Sequence, residues 1–408
     1  MRKIITSIFI ATICFSCVEE NESLSSDTRF YVPQLNLERG NLKVDLNFID
    51  PRPFTSYAGG PPSAPDVIDV FLSTDNENYK LIESVDSTTT ELAVDGLSNG
   101  QLYYFRLELS RGNSETLTTI PVMTVPVLEE TPNLLISNID SHWSQFAVSS
   151  DRSFVTFRNR PEGLNLRNVE TGAITFVESD SYGVNWARNS NNFVYFNTRI
   201  VDNNGANYQI KQKNAISGAE QVLVDNLSAY RISNPVYSAD DQTVYYLAGL
   251  LDGYPPLNIW QVNVATKENS LLINLEAKGF TADQVLSLSG DGENFYLDGR
   301  DNASGIIGIY ELNLATEQIK LILESTRGDS WPSISPNGDK LAFVSNRSGK
   351  SEIWMLNLST GKLNQLTGGV SRGLDFDNST ISWYSNNEII VPIIDDNFNR
   401  SIEQISTN

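Results

Sequence analysis

The sequence predicts an all-β protein in two parts, a β-sandwich followed by an array of six four-stranded units. Strand-favouring residues are plentiful, with 16 Tyr and 18 Phe among 408 residues. Short apolar runs alternate with Pro- and Gly-containing turns, which is the pattern of antiparallel strands. The third observation is a unit of this kind that recurs along the second part of the chain.

The clearest unit is residues 331–369, WPSISPNGDKLAFVSNRSGKSEIWMLNLSTGKLNQLTGG. Turns at 336–339, 346–350 and 360–361 divide it into four short strands. One such sheet is too small to fold alone, so it needs similar neighbours.

Five further copies supply these neighbours. The residue before the polar turn recurs at intervals of 39 to 51 residues, at Ser149, Arg188, Ser238, Ser289, Ser335 and Tyr384. An alternating strand that ends in an Asn-type turn recurs in phase with it, at 164–171, 258–266, 308–316 and 352–360, with a weaker copy at 208–217. Two signals of this period in register predict a six-bladed β-propeller.

The two ends of the array predict how the ring closes. The last unit has only three strands, at 381–384, 388–394 and 401–405. Residues 134–139 (LLISNI) precede the first unit without a partner of their own. We expect this segment to be the outermost strand of the sixth blade, which would remove exposed sheet edges. The propeller would then span 134–408.

The repeat resembles those of a known family. Units of the form WPSISPNGDKLAF…SEIWMLNLSTG are similar to the WD40-like propeller repeats of TolB and of the non-catalytic propellers of prolyl oligopeptidase-type peptidases. TolB joins its propeller to a different N-terminal domain, so the resemblance implies the propeller fold and not TolB's partners.

The first part, residues 29–127, has alternating strands at sandwich spacing. The segment DGLSNGQLYYFR (95–106) resembles the turn into a late strand of a fibronectin type III domain, an immunoglobulin-like sandwich with a Tyr at its corner. Tyr104 is the first choice for that Tyr and Tyr103 the second. This domain is either a recognition module or a spacer, and its loops favour the spacer. A linker follows at 128–133.

The N-terminus has the pattern of a bacterial lipoprotein signal. Arg2 and Lys3 precede a short apolar run, and a small residue stands before Cys17. The resemblance to a lipobox implies cleavage after residue 16 and lipidation of Cys17, with an acidic, flexible tether at 17–28. The lipidated chain would be held on the outer membrane, at its periplasmic or cell-surface face. The alternative is an ordinary signal peptide.

Charge and composition exclude several functions. The net charge is −21 with a pI near 4.4 and no basic stripe, so nucleic acid is not an expected partner. With one histidine and two cysteines in the chain, neither a His-based zinc site nor a Ser-His-Asp triad is expected. The sequence therefore predicts no metal and no cofactor.

Candidate binding residues lie in the loops that lead into each innermost strand, at the mouth of the central channel. Aromatic and Arg side chains dominate binding energy at interfaces. The aromatic and Arg residues of these loops, together with one His and one Asp, are His142, Tyr182, Tyr230, Arg231, Phe280, Arg327, Asp329 and Arg372. The alternative is structural: Trp143, Trp186 and Trp331 would pack between blades, and the arginines would be solvated or paired.

The function that these observations favour is a non-enzymatic, lipid-anchored scaffold that binds a protein or glycan of the cell envelope. The protein would be a monomer or part of an envelope complex. The alternative is a carbohydrate-active enzyme, a glycosidase or lyase, with channel carboxylates drawn from Asp283, Asp329 and Asp375. A propeller that serves as a sensor or remnant without a small ligand is a third possibility.

Overall fold

The computed structural model confirms the all-β fold class. It describes residues 30–54, 61–112, 116–127, 133–137, 146–159, 163–202, 205–233, 235–250, 257–325, 328–368, 372–374, 381–395 and 400–407. In these ranges the regular elements are β-strands, apart from one 3₁₀ turn at Arg52–Phe54. The signal segment 1–16, the tether 17–28 and linker residues 128–132 lie outside the described residues.

The N-terminal part is a sandwich of two antiparallel sheets. The first sheet pairs, in spatial order, β1 (Gln34–Gly40), β2 (Lys43–Ile49) and β5 (Glu91–Asp95). The second pairs β4 (Lys80–Val85), β3 (Val67–Ser73), β6 (Tyr103–Ser110) and β7 (Leu117–Thr118), with β8 (Val122–Thr124) also on β6. Alternate residues of both sheets share one core, in which Leu37, Leu46, Val70 and Leu107 are fully buried.

The structure places Tyr103, not Tyr104, at the corner of this sandwich. Tyr103 is buried, and its hydroxyl oxygen accepts a hydrogen bond from the Ser98 N–H at 3.0 Å. Along β6 the residues that face the core are Tyr103, Phe105 and Leu107, because side chains alternate between the two faces of a strand. Tyr104 lies on the opposite face.

Six four-stranded sheets follow, and each begins at its innermost strand. Blades one to three consist of β10 (Phe146–Val148), β11 (Phe154–Asn159), β12 (Gly163–Asn168) and β13 (Ile174–Glu178); β14 (Ser181–Trp186), β15 (Asn192–Asp202), β16 (Gly205–Asn214) and β17 (Glu220–Ile232); and β18 (Val236–Tyr237), β19 (Thr243–Leu250), β20 (Asn258–Asn263) and β21 (Asn269–Ile273). The end of β17 also pairs with β19, which joins blades two and three into one sheet.

Blades four to six have the same order. They consist of β22 (Phe280–Leu288), β23 (Asn294–Asp301), β24 (Ile307–Asn313) and β25 (Ile319–Glu324); β26 (Ser330–Ile334), β27 (Lys340–Ser345), β28 (Glu352–Asn357) and β29 (Leu363–Gln365); and β30 (Arg372–Leu374) with β31 (Ser382–Ser385), β32 (Glu388–Asp395) and β33 (Arg400–Ser406). In blade six, β30 and β31 both pair with β32 and together form the innermost position.

Repeated hydrogen bonds in the turns explain the two sequence signals. In blade four the Ser289 hydroxyl oxygen accepts the Asn294 N–H at 2.9 Å and donates to Asp291 at 2.5 Å. Blades one and three repeat both bonds. At the other hairpin, Asn313 Oδ1 accepts the Thr316 N–H at 2.9 Å, and Asn168, Asn214, Asn263 and Asn357 do the same in their blades.

The sheets form a closed ring because each packs on the next. Six apolar clusters lie between successive blades, and the last joins blade six to blade one through Ile390, Ile402 and Phe146. The strand β9 (Asn133–Ser137) pairs antiparallel with β33, with Ile136 opposite Ile402. β9 therefore occupies the outer edge of the sixth sheet; residues 138 and 139 lie outside the described part of the chain.

Blade five carries the sandwich through the turn between β27 and β28. The N–H of Leu37 donates to the carbonyl of Ser348 at 2.8 Å, and the N–H of Met123 donates to that of Arg347 at 2.5 Å. One turn thus bonds to an edge strand of each sheet, β1 and β8. Gly349 fits there because a Cβ would lie 1.9 Å from the carbonyl oxygen of Leu35.

A second set of contacts surrounds this turn and completes what we call the joint. The buried Arg39 guanidinium donates to the carbonyls of Gln365, Leu366 and Gly368, the last two at 2.6 and 3.1 Å. The Thr124 hydroxyl donates to the side chain of Gln365. The sandwich is therefore in direct contact with the propeller, and the spacer role expected from the sequence stays a prediction.

Candidate functional site

The central channel encloses a cavity of about 510 Å³, which is in the usual range of ligand pockets. The innermost strands of all six blades line it. Tyr237, Trp331, Trp383 and Tyr384 contribute aromatic rings, and serines and strand backbone contribute polar groups. Each innermost strand is the last in its sheet, so its inner edge has no strand partner among the described elements. The channel therefore presents apolar surface beside hydrogen-bonding groups.

One end of this channel is formed by the turns between the first and second strands of the blades, and we call it the turn face. Arg152 and Arg188 lie here, and they are the only charged residues among the described residues that line the cavity. The same turns also carry Asp151, Asp240, Asp241, Asp291 and Asp339, which do not line the cavity, so the two arginines are positive positions on an otherwise acidic face.

Arg188 stabilises the turn face by linking blades. Its guanidinium donates to the carbonyls of Leu288 and Ser289 in blade four at 3.1 and 2.8 Å, and to that of Gly290. Its backbone N–H donates to Asp241 of blade three at 2.8 Å. Burial lowers the pKa of the Arg188 guanidinium, although nearby carboxylates oppose the shift.

Arg152 occupies the turn of blade one in an unusual backbone conformation. Its φ is +63°, in the left-handed region that favours glycine. Its N–H donates to the carbonyl of Ser149 at 2.9 Å, as the N–H groups of Asp241, Gly292 and Gly338 do in the equivalent turns. The exposed guanidinium lies 5.2 Å from the ring centroid of Tyr384 in blade six.

The predicted binding residues with described side chains are turned into the protein. The half-buried Tyr182 stacks on Phe196 at 5.7 Å, and its hydroxyl oxygen accepts a hydrogen bond from Arg158 at 3.2 Å. Phe280 is 1% exposed and packs edge-on against Tyr310 at 4.9 Å. Burial removes Phe280 from any surface that a partner can reach.

Asp329 is also buried, in an ion pair with Arg347 at 2.5 Å. Burial raises the pKa of the Asp329 carboxyl, and the Arg347 guanidinium opposes the rise. Tyr230, Arg231 and Arg372 lie on β17 and β30, but their side chains are outside the description. Cys17, His142 and Arg327 lie outside the described residues. The described part of the predicted set therefore does not form one recognition face.

Two of the tryptophans have structural roles. Trp186 is buried between blades one and two, and its indole N–H is 3.2 Å from both the Ala147 carbonyl and the Thr156 hydroxyl. Trp331 packs against the core between blades five and six, yet it also lines the cavity and has a φ of +54°. Trp143 lies outside the described residues.

A buried carboxyl group holds Trp331 in this conformation. Asp298 on β23 is 3% exposed, and its Oδ2 accepts the Trp331 N–H at 3.1 Å. Its Oδ1 has no hydrogen-bond partner among the described residues. Burial and the charge of Asp283 raise the pKa of Asp298 to about 7.

The sequence reasoning missed Arg152, Arg188 and Asp298. A signal for the first two was present, because each is the one basic residue at its turn position, where the other five copies have Asn, Asp or Gly (for Arg152) and Ser or Tyr (for Arg188). No pattern in the sequence marks Asp298, since its role depends on Trp331 of the next blade.

Within the described ranges, no group of three or more His, Cys, Asp or Glu side chains could hold a metal ion. The same ranges contain no helix long and apolar enough to cross a membrane.

No protein-family model matches the chain, and no curated protein matches it either. Several solved structures are similar at low identity. TolB from Acinetobacter baumannii is 14% identical with a TM-score of 0.47, covering 76% of this chain and 79% of that one. Oligogalacturonate lyase from Vibrio parahaemolyticus is 13% identical with a TM-score of 0.47, covering 76% and 86%. The β-propeller domain of the trilobed protease from Pyrococcus furiosus is 12% identical with a TM-score of 0.44, covering 76% and 94%.

Proposed function

We propose that the protein is a non-enzymatic, lipid-anchored binding protein of the bacterial cell envelope, and that its partner enters the propeller channel. The observation that carries this proposal is the cavity of about 510 Å³ lined by all six blades. The lining combines aromatic rings with many polar groups, and binding sites use such polar groups to orient a ligand. The partner is an envelope protein or glycan.

The chemistry of the lining favours binding over catalysis. Its described charged residues are two arginines, and Arg188 is engaged in contacts within the propeller. Asp329, which sequence reasoning considered for catalysis, is buried in an ion pair away from the channel lining. General acid–base chemistry needs a titratable group within reach of the ligand.

The sandwich is of the fibronectin type III kind in this proposal. Support comes from its two antiparallel sheets and from Tyr103, whose hydroxyl oxygen binds a backbone N–H five residues upstream, as in a tyrosine corner. The joint holds the sandwich against blade five and fixes the orientation of the two relative to each other.

The anchor and the location follow from the N-terminal sequence. Lipidation of Cys17 would hold the chain on the outer membrane by its acyl chains. The acidic tether 17–28 would leave the propeller free to meet its partner. Protease treatment of intact cells distinguishes the two faces, because only a protein on the cell surface would be cleaved.

Obstruction of the channel tests the proposed function. Ser150 is exposed at the mouth, so Ser150→Trp should narrow it without changing the core. The matched control Thr175→Trp places the same side chain on the exposed edge strand β13. Pull-downs with the full chain from envelope extract should lose the partner only with Ser150→Trp. Equal recovery by both variants would show that the channel does not bind it.

A carbohydrate-active enzyme is the second candidate, and one observation favours it. The exposed Asp283 carboxyl lies near the buried Asp298 carboxyl, whose pKa is raised to about 7, and a carboxyl with a raised pKa suits the role of a general acid. Asp375, the third carboxylate considered, lies outside the described residues. Assay of envelope polysaccharides would decide: turnover by the wild type that Asp298→Asn and Asp283→Asn each abolish would establish the enzyme.

A further inference from the structure

We infer that the turn-face mouth of the channel binds a carboxylate of the ligand through Arg152. This inference rests on the proposed function, because it assumes that the channel is a binding site. It adds that the end of the ligand bound at the mouth carries a carboxylate. The inference comes from backbone strain, from the exposed guanidinium and from the charge of the lining.

The backbone of Arg152 is in a conformation that a side chain disfavours. Four turns of the propeller place a residue at this position with φ between +61° and +79°, and in blades four and five it is Gly292 and Gly338. A residue other than glycine in this region adds strain, which is often retained for function. In blade three the residue is Asp241, whose carboxylate accepts the N–H groups of Arg188 and Asn189, both at 2.8 Å. That structural role accounts for Asp241.

No comparable role accounts for Arg152. The described contact of its side chain is the ring of Tyr384, with the guanidinium carbon 5.2 Å from the centroid. It makes no ion pair with the described residues. The neighbouring Asp151 carboxylate is engaged within the turn, where it accepts the Ser149 hydroxyl at 2.7 Å and the Ser153 N–H at 3.0 Å. The guanidinium is thus exposed beside an aromatic ring, with donors available to a ligand.

The charge distribution restricts which anion this site can take. A guanidinium binds a carboxylate through paired hydrogen bonds. The chain as a whole carries −21 and would repel a polyanion. A single carboxylate at the end of an otherwise neutral ligand meets Arg152 without that penalty. The cavity behind the mouth has room and aromatic rings for a saccharide or a short peptide.

Replacement of Arg152 by glycine separates binding from folding. Arg152→Gly installs the residue that blades four and five have, so the melting temperature should stay the same or rise. Arg167→Gln is the matched control, because it removes one positive charge from the same blade at a residue that does not line the cavity. Tryptophan fluorescence provides the readout, since Trp331 and Trp383 line the cavity.

Two pairs of probes differ only in the acid group. One pair is a neutral trisaccharide and the same trisaccharide with a uronic acid at one end. The other is N-acetylated trialanine with a free C-terminal carboxylate and its C-terminal amide. The acid of one pair should bind at least about tenfold more tightly than its neutral partner, and that difference should vanish in Arg152→Gly but persist in Arg167→Gln. The pair that responds identifies the saccharide or the peptide as the source.

Three results would overturn the carboxylate site. They are equal affinity for the acid and neutral forms, unchanged acid binding by Arg152→Gly, and no binding of either acid by the wild type. If Ser150→Trp still loses the envelope partner in any of these cases, the channel remains the binding site and only the carboxylate is wrong. If Ser150→Trp keeps the partner, the proposed function itself fails.

Discussion

Arg347 and Asp329 form a buried ion pair directly beneath the joint. Arg347 Nη2 lies 2.5 Å from Asp329 Oδ2, and the two side chains are 5% and 0% exposed. The Arg347 guanidinium also lies over the rings of Phe343 and Trp354, at 4.9 and 5.4 Å. The backbone carbonyl of Arg347 accepts the Met123 N–H of the sandwich. One residue therefore connects the loop before β26 to the other domain.

Removal of either member of this pair should strongly destabilise the protein. Arg347→Met leaves the Asp329 carboxylate buried without its cation, and Asp329→Asn leaves the guanidinium without its anion. Breaking a buried pair on one side costs about 3–5 kcal/mol. The double variant should cost less than the two single losses added together, as chemical denaturation would measure. Strict additivity would show that the pair is not coupled.

Arg39 should control whether the sandwich stays docked. Arg39→Met keeps the apolar stem but leaves three carbonyls of residues 365–368 without their charged donor. We expect the sandwich to separate more readily and to show its own unfolding transition in calorimetry. Arg106→Met is the control, since the described contacts of Arg106 are all within the sandwich. A single unchanged transition in both variants would contradict the role of Arg39.

Closure of the ring by β9 should dominate thermal stability. Deletion of residues 134–139 exposes the edge of β33 and removes the buried Ile136 from the cluster between blades six and one. From the loss of a large buried side chain and its strand, we expect the melting temperature to fall by about 10 °C. Ile174→Ala, on an exposed edge strand, should change it little. Equal melting of the deletion variant and the wild type would refute the closure.

Asp298 should make stability depend on pH. Its pKa is about 7 in the folded protein and near 3.8 in the unfolded chain, so the folded state binds more protons between these values. The contribution of Asp298 to the free energy of unfolding is fully present below pH 4 and is lost as the pH rises to 7. Between pH 5 and 8 the loss should be roughly 2–3 kcal/mol.

Two variants test this assignment by urea denaturation at pH 5 and pH 8. Asp298→Asn removes the ionisation and should flatten the dependence. Asp283→Asn removes the neighbouring charge that raises the Asp298 pKa. The loss of stability between pH 5 and pH 8 should therefore be smaller in this variant than in the wild type. A wild type equally stable at both pH values would rule out the raised pKa.

Cys17 should determine membrane association. Cys17→Ser removes the thiol that lipidation requires, so the protein should move from the membrane fraction to the soluble fraction. Cys14→Ser is the matched control, because cleavage before Cys17 would remove residue 14. Fractionation of cells followed by immunoblotting measures both. Retention of Cys17→Ser on the membrane would exclude the lipid anchor.

The strands and turns of this fold could be predicted from the sequence. Turn residues such as Ser289 and Asn313 recur because their side chains bond to backbone N–H groups a few positions away. Such local bonds leave a mark at fixed spacing, and from this spacing the six four-stranded units were predicted. The same spacing indicated that the last unit lacks a fourth strand. It also indicated that the segment before the first unit has no partner in that unit.

Which residues face the channel depends on how the strands pack, and the sequence pattern does not show it. Phe280 begins strand β22 and Asp329 lies in the loop before β26, yet neighbouring strands bury both, whereas Arg152 and Arg188 reach the cavity from turns at its other end. Tyr103 and Tyr104 differ by one position, and strand alternation places one in the core. The sequence also did not predict the joint, because its bonds connect residues more than 200 positions apart along the chain, such as Thr124 and Gln365 or Arg39 and Gly368. Contacts of this kind depend on packing between domains, which leaves no periodic pattern in the sequence.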